Sequence, residues 1–506
     1  MRRQVRWLVL GVLALVTLLS WALASPPGSS PDDDYHLASI WCARGASEHC
    51  GLVPGDPTSR VVPWEVNAVA CFAFHSETSA ACQQGMDTLP DAPRSHGNWN
   101  GGYPPVFYYV MSFLVTDRLG TSVLLMRGLN AVITIGTIAG LAWLLPRRLR
   151  TLVTVPLLIT AVPLGVSLFA STNPSSWTVL GVAAFWPALY AAFETKGRRS
   201  VLLQGAAILA MLLAAGSRAD GCLFIVMAVA LVLMLRLRAV PSHPWVLVTC
   251  LVCVVVPVLF FVGAGQSSAL TNGLGPAPPP APGAPPVTWV GLAVTNLQAL
   301  PTLWFGSLGY GNMGLLGWLD TSFPGLVGFL ATSVWVVVVF GSWRVMSTGK
   351  AMALGLVGLA LVVYPVVVLG RSGMTVGSGF QPRYELPLLV LLAGLSLLRV
   401  DRSAARYSVF QLGVLVTSLV VAHTIALFTQ IRRYVTGLDV SGLDLDRARE
   451  WWWHGPLSAS AVWTTGSASF AVVCCLLLIG AARAREDVAD EPPAGKSDSE
   501  HRAGLA

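Results

Sequence analysis

Runs of about twenty apolar residues recur along almost the whole chain, and this recurrence restricts the fold more than any other feature. A helix needs about 20 such residues to cross the hydrocarbon core of a bilayer. Only 11% of the 506 residues are charged, compared with about 25% in soluble domains. The sequence therefore predicts an all-α, polytopic membrane protein. It excludes a soluble enzyme, a coiled coil and a disordered chain.

Twelve apolar segments are predicted to span the membrane. Their approximate bounds are 7–24, 122–145, 152–170, 174–194, 201–216, 220–237, 245–263, 324–343, 351–370, 385–399, 407–428 and 460–482. The first span also resembles a signal peptide, because arginines precede it and Ala22-Leu23-Ala24 ends it. Its apolar run is long for a signal peptide, so we interpret it as an uncleaved anchor. Cleavage would leave the remaining topology unchanged.

Basic residues mark one side of the predicted membrane domain. Arg147-Arg148-Leu149-Arg150 and Lys196-Gly197-Arg198-Arg199 follow the second and fourth spans, whereas residues 264–323 contain no Lys or Arg. Cytoplasmic connections carry such an excess, so both termini are predicted to be cytoplasmic in a bacterial cell membrane. The net charge of +7 is spread over these boundaries rather than grouped in a groove, which argues against nucleic acid as a partner.

The segments outside the predicted spans lie mainly on the outer side. The transmembrane domain is predicted over 1–482, with outer segments at 25–121, 264–323 and 429–459. The second of these contains a proline-rich run, residues 275–286, that predicts an extended linker. The remaining residues, 483–506, are predicted to be a disordered cytoplasmic tail because they are acidic and rich in Pro and Gly. Polar substrates are therefore expected on the outer face.

Four of the nine cysteines lie in the first outer segment. An outer compartment permits disulfides, and four cysteines allow three pairings. We predict local pairing, Cys42 with Cys50 and Cys71 with Cys82. A zinc site is the alternative, although these spacings do not match those of zinc ribbons.

An acidic cluster with a histidine, Asp32-Asp33-Asp34-Tyr35-His36, follows the first span. Adjacent carboxylates repel each other, and this raises at least one pKa, as a general base or a metal ligand requires. His36 lies one helical turn after Asp32 and therefore on the same face. Plain capping of a helix is the alternative interpretation, and a bound divalent cation is a further open one.

Several charged side chains occupy positions near the membrane where charge is costly. Arg127 lies inside the second span, Arg218 and Asp220 lie in a short outer hairpin, and Arg383 begins the tenth span. The planar fork of arginine binds two phosphate oxygens at once, so these arginines predict a site for an anionic head group. Arg218 and Asp220 pairing with each other is the simpler alternative. Asp320, the only acid of the second outer segment, is either a site residue or a helix cap.

An aromatic segment with paired prolines, residues 103–115, is too short to span the membrane. Such a segment is expected in the outer interface. It is either a plain anchor or one wall of a groove for a lipid substrate, with Tyr103 at its start.

Five sequence elements occur in an order that resembles a bacterial family of multi-pass predicted membrane proteins, catalogued as a domain of unknown function. The elements lie at 32–36, 103–109, 127, 317–321 and 381–387, and the resemblance covers roughly residues 1–430. Asp33 stands where the family shows Glu in Asp-Glu-x-x-His. Pro382 stands where it shows Gly in Gln-Gly-Arg-Tyr-x-x-Pro.

That family looks related to GT-C glycosyltransferases, which use polyprenyl-phosphate sugars. The resemblance implies a GT-C-like fold and transfer of sugar from a polyprenyl-phosphate donor, in contact with membrane lipid, to a glycan or lipid-linked acceptor in the cell envelope. It implies catalytic roles for Asp32, Asp33 and His36, and substrate-binding roles for Arg383, Arg127, Arg218, Asp220, Asp320, Tyr103 and Tyr384. The alternatives are a transporter or flippase of a lipid-linked saccharide, and a non-catalytic scaffold of an envelope complex.

Overall fold

The computed structural model describes residues 3–274, 288–398 and 407–489. These residues form a mostly helical membrane protein with one small sheet. The α-helices are α1 (Arg3–Leu23), α2 (Asp33–Trp41), α3 (Trp64–Asn67), α4 (Val106–Ser112), α5 (Leu119–Leu144), α6 (Thr151–Ile159), α7 (Val166–Phe169), α8 (Ser175–Ala192), α9 (Gly197–Ala215), α10 (Ala219–Leu235), α11 (Pro244–Gly263), α12 (Ala269–Asn272), α13 (Trp289–Gly306), α14 (Gly325–Gly341), α15 (Thr348–Ser372), α16 (Pro382–Ser396), α17 (Val409–Val435) and α18 (Ala459–Ala489). The strands are β1 (Gly51–Val53), β2 (Asp56–Val62) and β3 (Ala92–Arg94).

Eight helices in the described ranges are long and apolar enough to cross a bilayer. They are α1, α5, α9, α11, α14, α15, α17 and α18. A ninth candidate is the pair α6 and α7, which are bent by 90° where Val162 leaves helical geometry and Pro163 follows. Proline cannot donate a helical hydrogen bond, which explains a break at this place. Helices also occupy the predicted spans at 174–194, 220–237 and 385–399, but α8, α10 and α16 do not meet the same criterion. Within the described residues the structure thus supports eight of the twelve predicted spans, or nine if the bent pair is one span.

An ion cluster places the ends of three helices at one face. Glu194, after α8, pairs with Arg148, after α5, at 2.6 Å, and also with Arg236, after α10. From this face α10 runs 17 residues, or about 25 Å, to Arg218 at the opposite end. That length is close to the roughly 30 Å of a bilayer core.

Helix α8 is central, because every one of its residues is buried. A Cβ added to its Gly181 would lie 2.5 Å from the Ala210 carbonyl oxygen of α9, so these two helices approach closely. Trp186 packs against Gly394 of α16 on another side. These contacts hold the middle of α8 between α9 and α16.

The first and last long helices pack together, although they are far apart in sequence. Helix α1 lies against α18, and its Trp21 donates a hydrogen bond of 2.9 Å to His423 of α17. Trp453, just before α18, donates to the Leu23 carbonyl at 2.9 Å. These contacts place α1 beside the last two helices of the bundle.

The first outer segment is an ordered structure. Its antiparallel sheet has the order β1-β2-β3, and α2 and α4 pack against each other beside it. The predicted disulfides, Cys42–Cys50 and Cys71–Cys82, are both present. The aromatic segment contains only the short helix α4, so it does not span the membrane, as predicted.

Two segment boundaries differ from the sequence prediction. The second outer segment contains α13, an apolar helix capped by Thr288, whose hydroxyl accepts a hydrogen bond from Gly291 N at 3.1 Å. Trp304 of α13 donates to the Leu361 carbonyl of α15 at 3.1 Å. The expected linker at 275–286 lies outside the described residues. At the end of the chain, α18 continues to Ala489, beyond the predicted start of the tail at 483.

Candidate functional site

The N-terminal ends of α2, α8, α10 and α16 meet at the end of the bundle opposite the Glu194 ion cluster. The Asn173 side chain, just before α8, donates to the Pro31 carbonyl before α2 at 2.8 Å. Arg218, which precedes α10, lies over the Tyr384 ring of α16 at 4.6 Å. Helix N-termini carry partial positive charge, so four of them together favour an anion.

Arg383 and Asp32 form an ion pair at this meeting point. The Arg383 side chain, in the first turn of α16, is only 4% exposed, whereas that of Asp32 is 44% exposed. Arg383 also donates to the Tyr384 hydroxyl at 3.1 Å. Burial alone would raise the pKa of Asp32, but the charges of Arg383 and Arg218 lower it below its usual value. Asp32 is therefore ionised at neutral pH.

The backbone presents Asp32 in an uncommon geometry. Its φ of 60° lies in the left-handed region, which non-glycine residues seldom adopt, although Asp adopts it more readily than most. This conformation directs the chain into α2 immediately after Asp32.

His36 lies one turn into α2 and is completely buried. Its Nδ1 is 2.9 Å from the Tyr108 hydroxyl, and its Nε2 has no hydrogen-bond partner among the described residues. Burial outweighs the attraction of Asp32 and lowers the pKa of His36 to about 3. The ring is therefore neutral, and Tyr103 packs edge-on against it with ring centroids 5.5 Å apart. Burial raises the pKa of Tyr103 to about 12, so its hydroxyl keeps its proton.

Arg218 and Asp220 pair with each other, as the simpler sequence interpretation expects. Arg218 Nε donates to Asp220 Oδ1 at 3.0 Å and Nη2 donates to Oδ2 at 2.8 Å. The guanidinium also lies 5.6 Å from the Tyr103 ring centre. Together with its position over Tyr384, this contact brings Arg218 into the same group as Arg383.

Asp33 belongs to the local framework of this site. Its Oδ1 accepts from the Thr172 hydroxyl at 2.7 Å and its Oδ2 accepts from Ser30 N at 3.0 Å, so both oxygens are occupied. Burial raises the pKa of Asp33 to about 6. Of the two predicted bases, Asp32 is thus the one whose carboxylate meets Arg383 and solvent.

Arg127 lies outside the group around Arg383, and its hydrogen bonds hold the connection between α1 and α2. Its guanidinium donates at 2.6–3.0 Å to the carbonyls of Ala22, Ser25 and Pro26 and to the Ser29 hydroxyl. The side chain is 1% exposed. A narrow cleft between this connection, the loop after α13 and the start of α16 is lined by both Arg127 and Arg383.

Asp320 is likewise separate from Arg383. It pairs with Arg433 of α17 at 2.8 Å and accepts from Phe74 N of the first outer segment at 3.1 Å. Arg433 also donates to the Phe72 carbonyl at 2.9 Å. The contacts of Asp320 therefore join three distant segments, rather than capping a helix.

A model of the family described as predicted membrane protein (DUF2142) matches residues 15–392. The chain belongs to this family. No curated protein matches the sequence.

Every residue of the site lies within the part that matches DUF2142, from Asp32 to Tyr384. Sequence reasoning missed Tyr108, Thr172 and Glu385. Glu385 lies within the element at 381–387, which was its only signal in the sequence. Its side chain is fully buried, and both of its carboxylate oxygens lack hydrogen-bond partners among the described residues.

The candidate site of this DUF2142 protein offers few metal ligands. Within 3–274, 288–398 and 407–489, no group of three or more His, Cys, Asp or Glu side chains has a geometry that could hold an ion. The site instead brings together two arginines, an ionised carboxylate and a neutral histidine.

Proposed function

We propose that this protein is a GT-C-like glycosyltransferase of the bacterial plasma membrane. It would have twelve spans and cytoplasmic termini, and it would act on the outer face. The donor is a polyprenyl-phosphate-linked sugar and the acceptor is an envelope glycan or a lipid-linked glycan. The observation that carries this proposal is the pairing of the buried Arg383 with the partly exposed carboxylate of Asp32.

The first supporting argument concerns the anion. Two arginines, Arg383 and Arg218, lie against the Tyr384 ring, at 5.0 and 4.6 Å from its centre. The N-terminal ends of four helices meet near them, and buried surroundings strengthen the attraction of such charges for an anion. A lipid phosphate that leaves during sugar transfer gains negative charge, which such a site stabilises.

The second supporting argument concerns the acceptor. In the proposed reaction an acceptor hydroxyl attacks the anomeric carbon, the bond from that carbon to the phosphate oxygen breaks, and Asp32 takes the hydroxyl proton. Its exposure of 44% leaves it reachable from the outer side. We assign to neutral His36, whose Nε2 has no hydrogen-bond partner among the described residues, the role of orienting the carboxylate or the acceptor.

The test is sugar transfer from polyprenyl-phosphate donors by the purified full-length protein. We expect Asp32→Asn and Arg383→Ala each to lower turnover at least about a hundredfold, the usual scale for a base or a charge-stabilising donor. Asp34→Asn is the matched control, because Asp34 pairs instead with Arg94 at 2.8 Å. Turnover at the wild-type level in both site variants would overturn the proposal.

Donor binding and donor translocation, measured together with sugar transfer, separate the alternative functions. A flippase of a lipid-linked saccharide would bind the donor and move it between leaflets of a vesicle without transferring sugar. A scaffold would neither bind nor move it, and neutralising Arg383 would leave its function intact.

A further inference from the structure

Asp32 and the donor phosphate are both anions that bind to the same cation, the Arg383 guanidinium. Arg383 is the buried cation that the proposed function assigns to the donor phosphate, yet its Nη2 already bonds to Asp32. A second bond goes to the Tyr384 hydroxyl, and Nε has no partner among the described residues. A phosphate that bonds to Nη2, the nitrogen that carries both of these contacts, therefore competes with the Asp32 carboxylate.

Asp32 is suited to such an exchange because its backbone is held while its side chain is free on one side. The neighbouring residues are fixed through the Pro31 carbonyl, which accepts from Asn173 at 2.8 Å, and through Asp33, which accepts from Ser30 N at 3.0 Å. Rotation of the Asp32 side chain away from Arg383 would place the carboxylate in solvent, where ions are well solvated. The exchange thus requires no movement of a helix.

The second carboxylate of the site is different. Asp220 is only 7% exposed, it binds Arg218 through both oxygens, and Oδ1 also accepts from Gly221 N at 2.9 Å. Releasing Asp220 would leave a charge buried without a partner, which is costly. Arg218 therefore keeps its carboxylate, and Arg383 is the arginine that can change partners.

The exchange would also affect the reactivity of Asp32. A carboxylate bound to arginine is a weak base, because the arginine stabilises its ionised form. Once the phosphate neutralises Arg383, Asp32 loses that stabilisation and accepts a proton more readily. Base strength and donor occupancy then rise together.

We propose that Asp32 occupies the phosphate position of Arg383 in the free protein, and that donor binding displaces it and so frees the base only when donor is present. This inference rests on the proposed function for the identity of the anion. It is tested by binding alone, however, so it can hold even if sugar transfer is never observed.

The experiment measures binding of decaprenyl phosphate to the full-length protein in nanodiscs. We expect Asp32→Asn to bind this probe about tenfold more tightly than wild type, since one charge-assisted hydrogen bond no longer competes. Asp32→Gly should do the same, because glycine accepts the left-handed backbone at this position. Asp34→Asn removes the same charge two residues later and should leave affinity unchanged, and Arg383→Gln should weaken it.

Further probes identify what is recognised. Decaprenol, which lacks the phosphate, should bind equally to wild type and to Asp32→Asn. Inorganic phosphate distinguishes a free anion from a lipid head group: if Asp32→Asn gains affinity for it as well, the exchange at Arg383 is supported without a lipid requirement. Equal or weaker decaprenyl phosphate binding by both Asp32 variants, with their folding confirmed by wild-type thermal unfolding, would overturn the proposal. So would a failure of every variant to bind the probe.

Discussion

Asp32 and Asp33 are adjacent and chemically alike, but the structure gives them opposite environments. Asp32 meets a guanidinium and solvent, whereas Asp33 is enclosed with a hydroxyl and a backbone amide as partners. The pKa of Asp32 is accordingly lowered and that of Asp33 is raised to about 6. Two carboxyl groups with divergent pKa values suit different roles, so we assign Asp32 to chemistry and Asp33 to support.

The raised pKa of Asp33 predicts a pH-dependent stability. Between about pH 4 and pH 6 the folded protein keeps a proton on Asp33 that the unfolded chain has released, so folding binds a proton there. Relative to Asp33→Asn, wild type should gain stability as pH falls from 7 to 4.5, by about 2 kcal/mol. Thermal unfolding in detergent across this range measures the difference. Parallel curves for the two proteins would contradict the prediction.

The residue scale is also where the sequence was least informative. The crowding of acids after the first span was visible, and so was the cost of Arg127, Arg218 and Arg383. The partners were not visible, because Asp32 and Arg383 are 351 positions apart and nothing local indicates that they meet. Arg127 carried the same signal as Arg383 although backbone carbonyls occupy its guanidinium.

At the scale of elements, the connection between α1 and α2 depends on one side chain from α5. This connection is too short to bury a core of its own, and two of its carbonyls and the Ser29 hydroxyl bond instead to Arg127. It ends at Asp32, so the arginine fixes the position from which that carboxylate reaches Arg383. Arg127 is a support for the site rather than a part of it.

We predict that Arg127→Ala lowers the free energy of unfolding by more than about 3 kcal/mol, because several buried acceptors lose a charged donor. Arg127→Lys should rescue little, since one ammonium group cannot replace the planar fork. Thermal unfolding in detergent measures both variants, with Arg118→Ala, an exposed position at the start of the same helix, as the control. Wild-type stability with lost decaprenyl phosphate binding would instead show a substrate role.

Some elements were predictable from sequence and others were not, for physical reasons. Short spacing made local disulfides the favoured pairing, because nearby cysteines close small loops easily. Helix α13 was missed because prolines precede it and the segment between charged boundaries looked like one long loop. The bend between α6 and α7 was missed because hydropathy reflects which residues are present and contains no information about the direction of the helix axis.

At the scale of the whole molecule, the number of crossings depends on the short helices. The cluster of Arg148, Glu194 and Arg236 places the ends of α5, α8 and α10 on one face. The opposite ends of α8 and α10 lie at the candidate site. Both helices therefore extend from one end of the bundle to the other. Because they are buried within the bundle, they need little apolar surface toward lipid.

Reporter fusions test this topology. We expect alkaline phosphatase fused after Gly216 to be active, because the proposed topology puts that position on the outer side, and the same enzyme fused after Ala239 to be inactive. A green fluorescent protein fused to the C-terminus should fluoresce in the cytoplasm. Equal phosphatase activity at the two positions would show that α10 does not cross.

The packing of α1 against α17 and α18 has a consequence for biogenesis. The ribosome releases residues in order at about 5–20 per second, and roughly 400 residues separate Trp21 from His423. Helix α17 is therefore synthesised about 20–80 seconds after α1. Arg433, which donates hydrogen bonds to the Phe72 and Thr78 carbonyls of the first outer segment, is synthesised after a similar delay. Early in synthesis α1 can pack against α5, which follows it closely in the chain, whereas the side of α1 that later meets α17 and α18 contacts only lipid or an insertion factor.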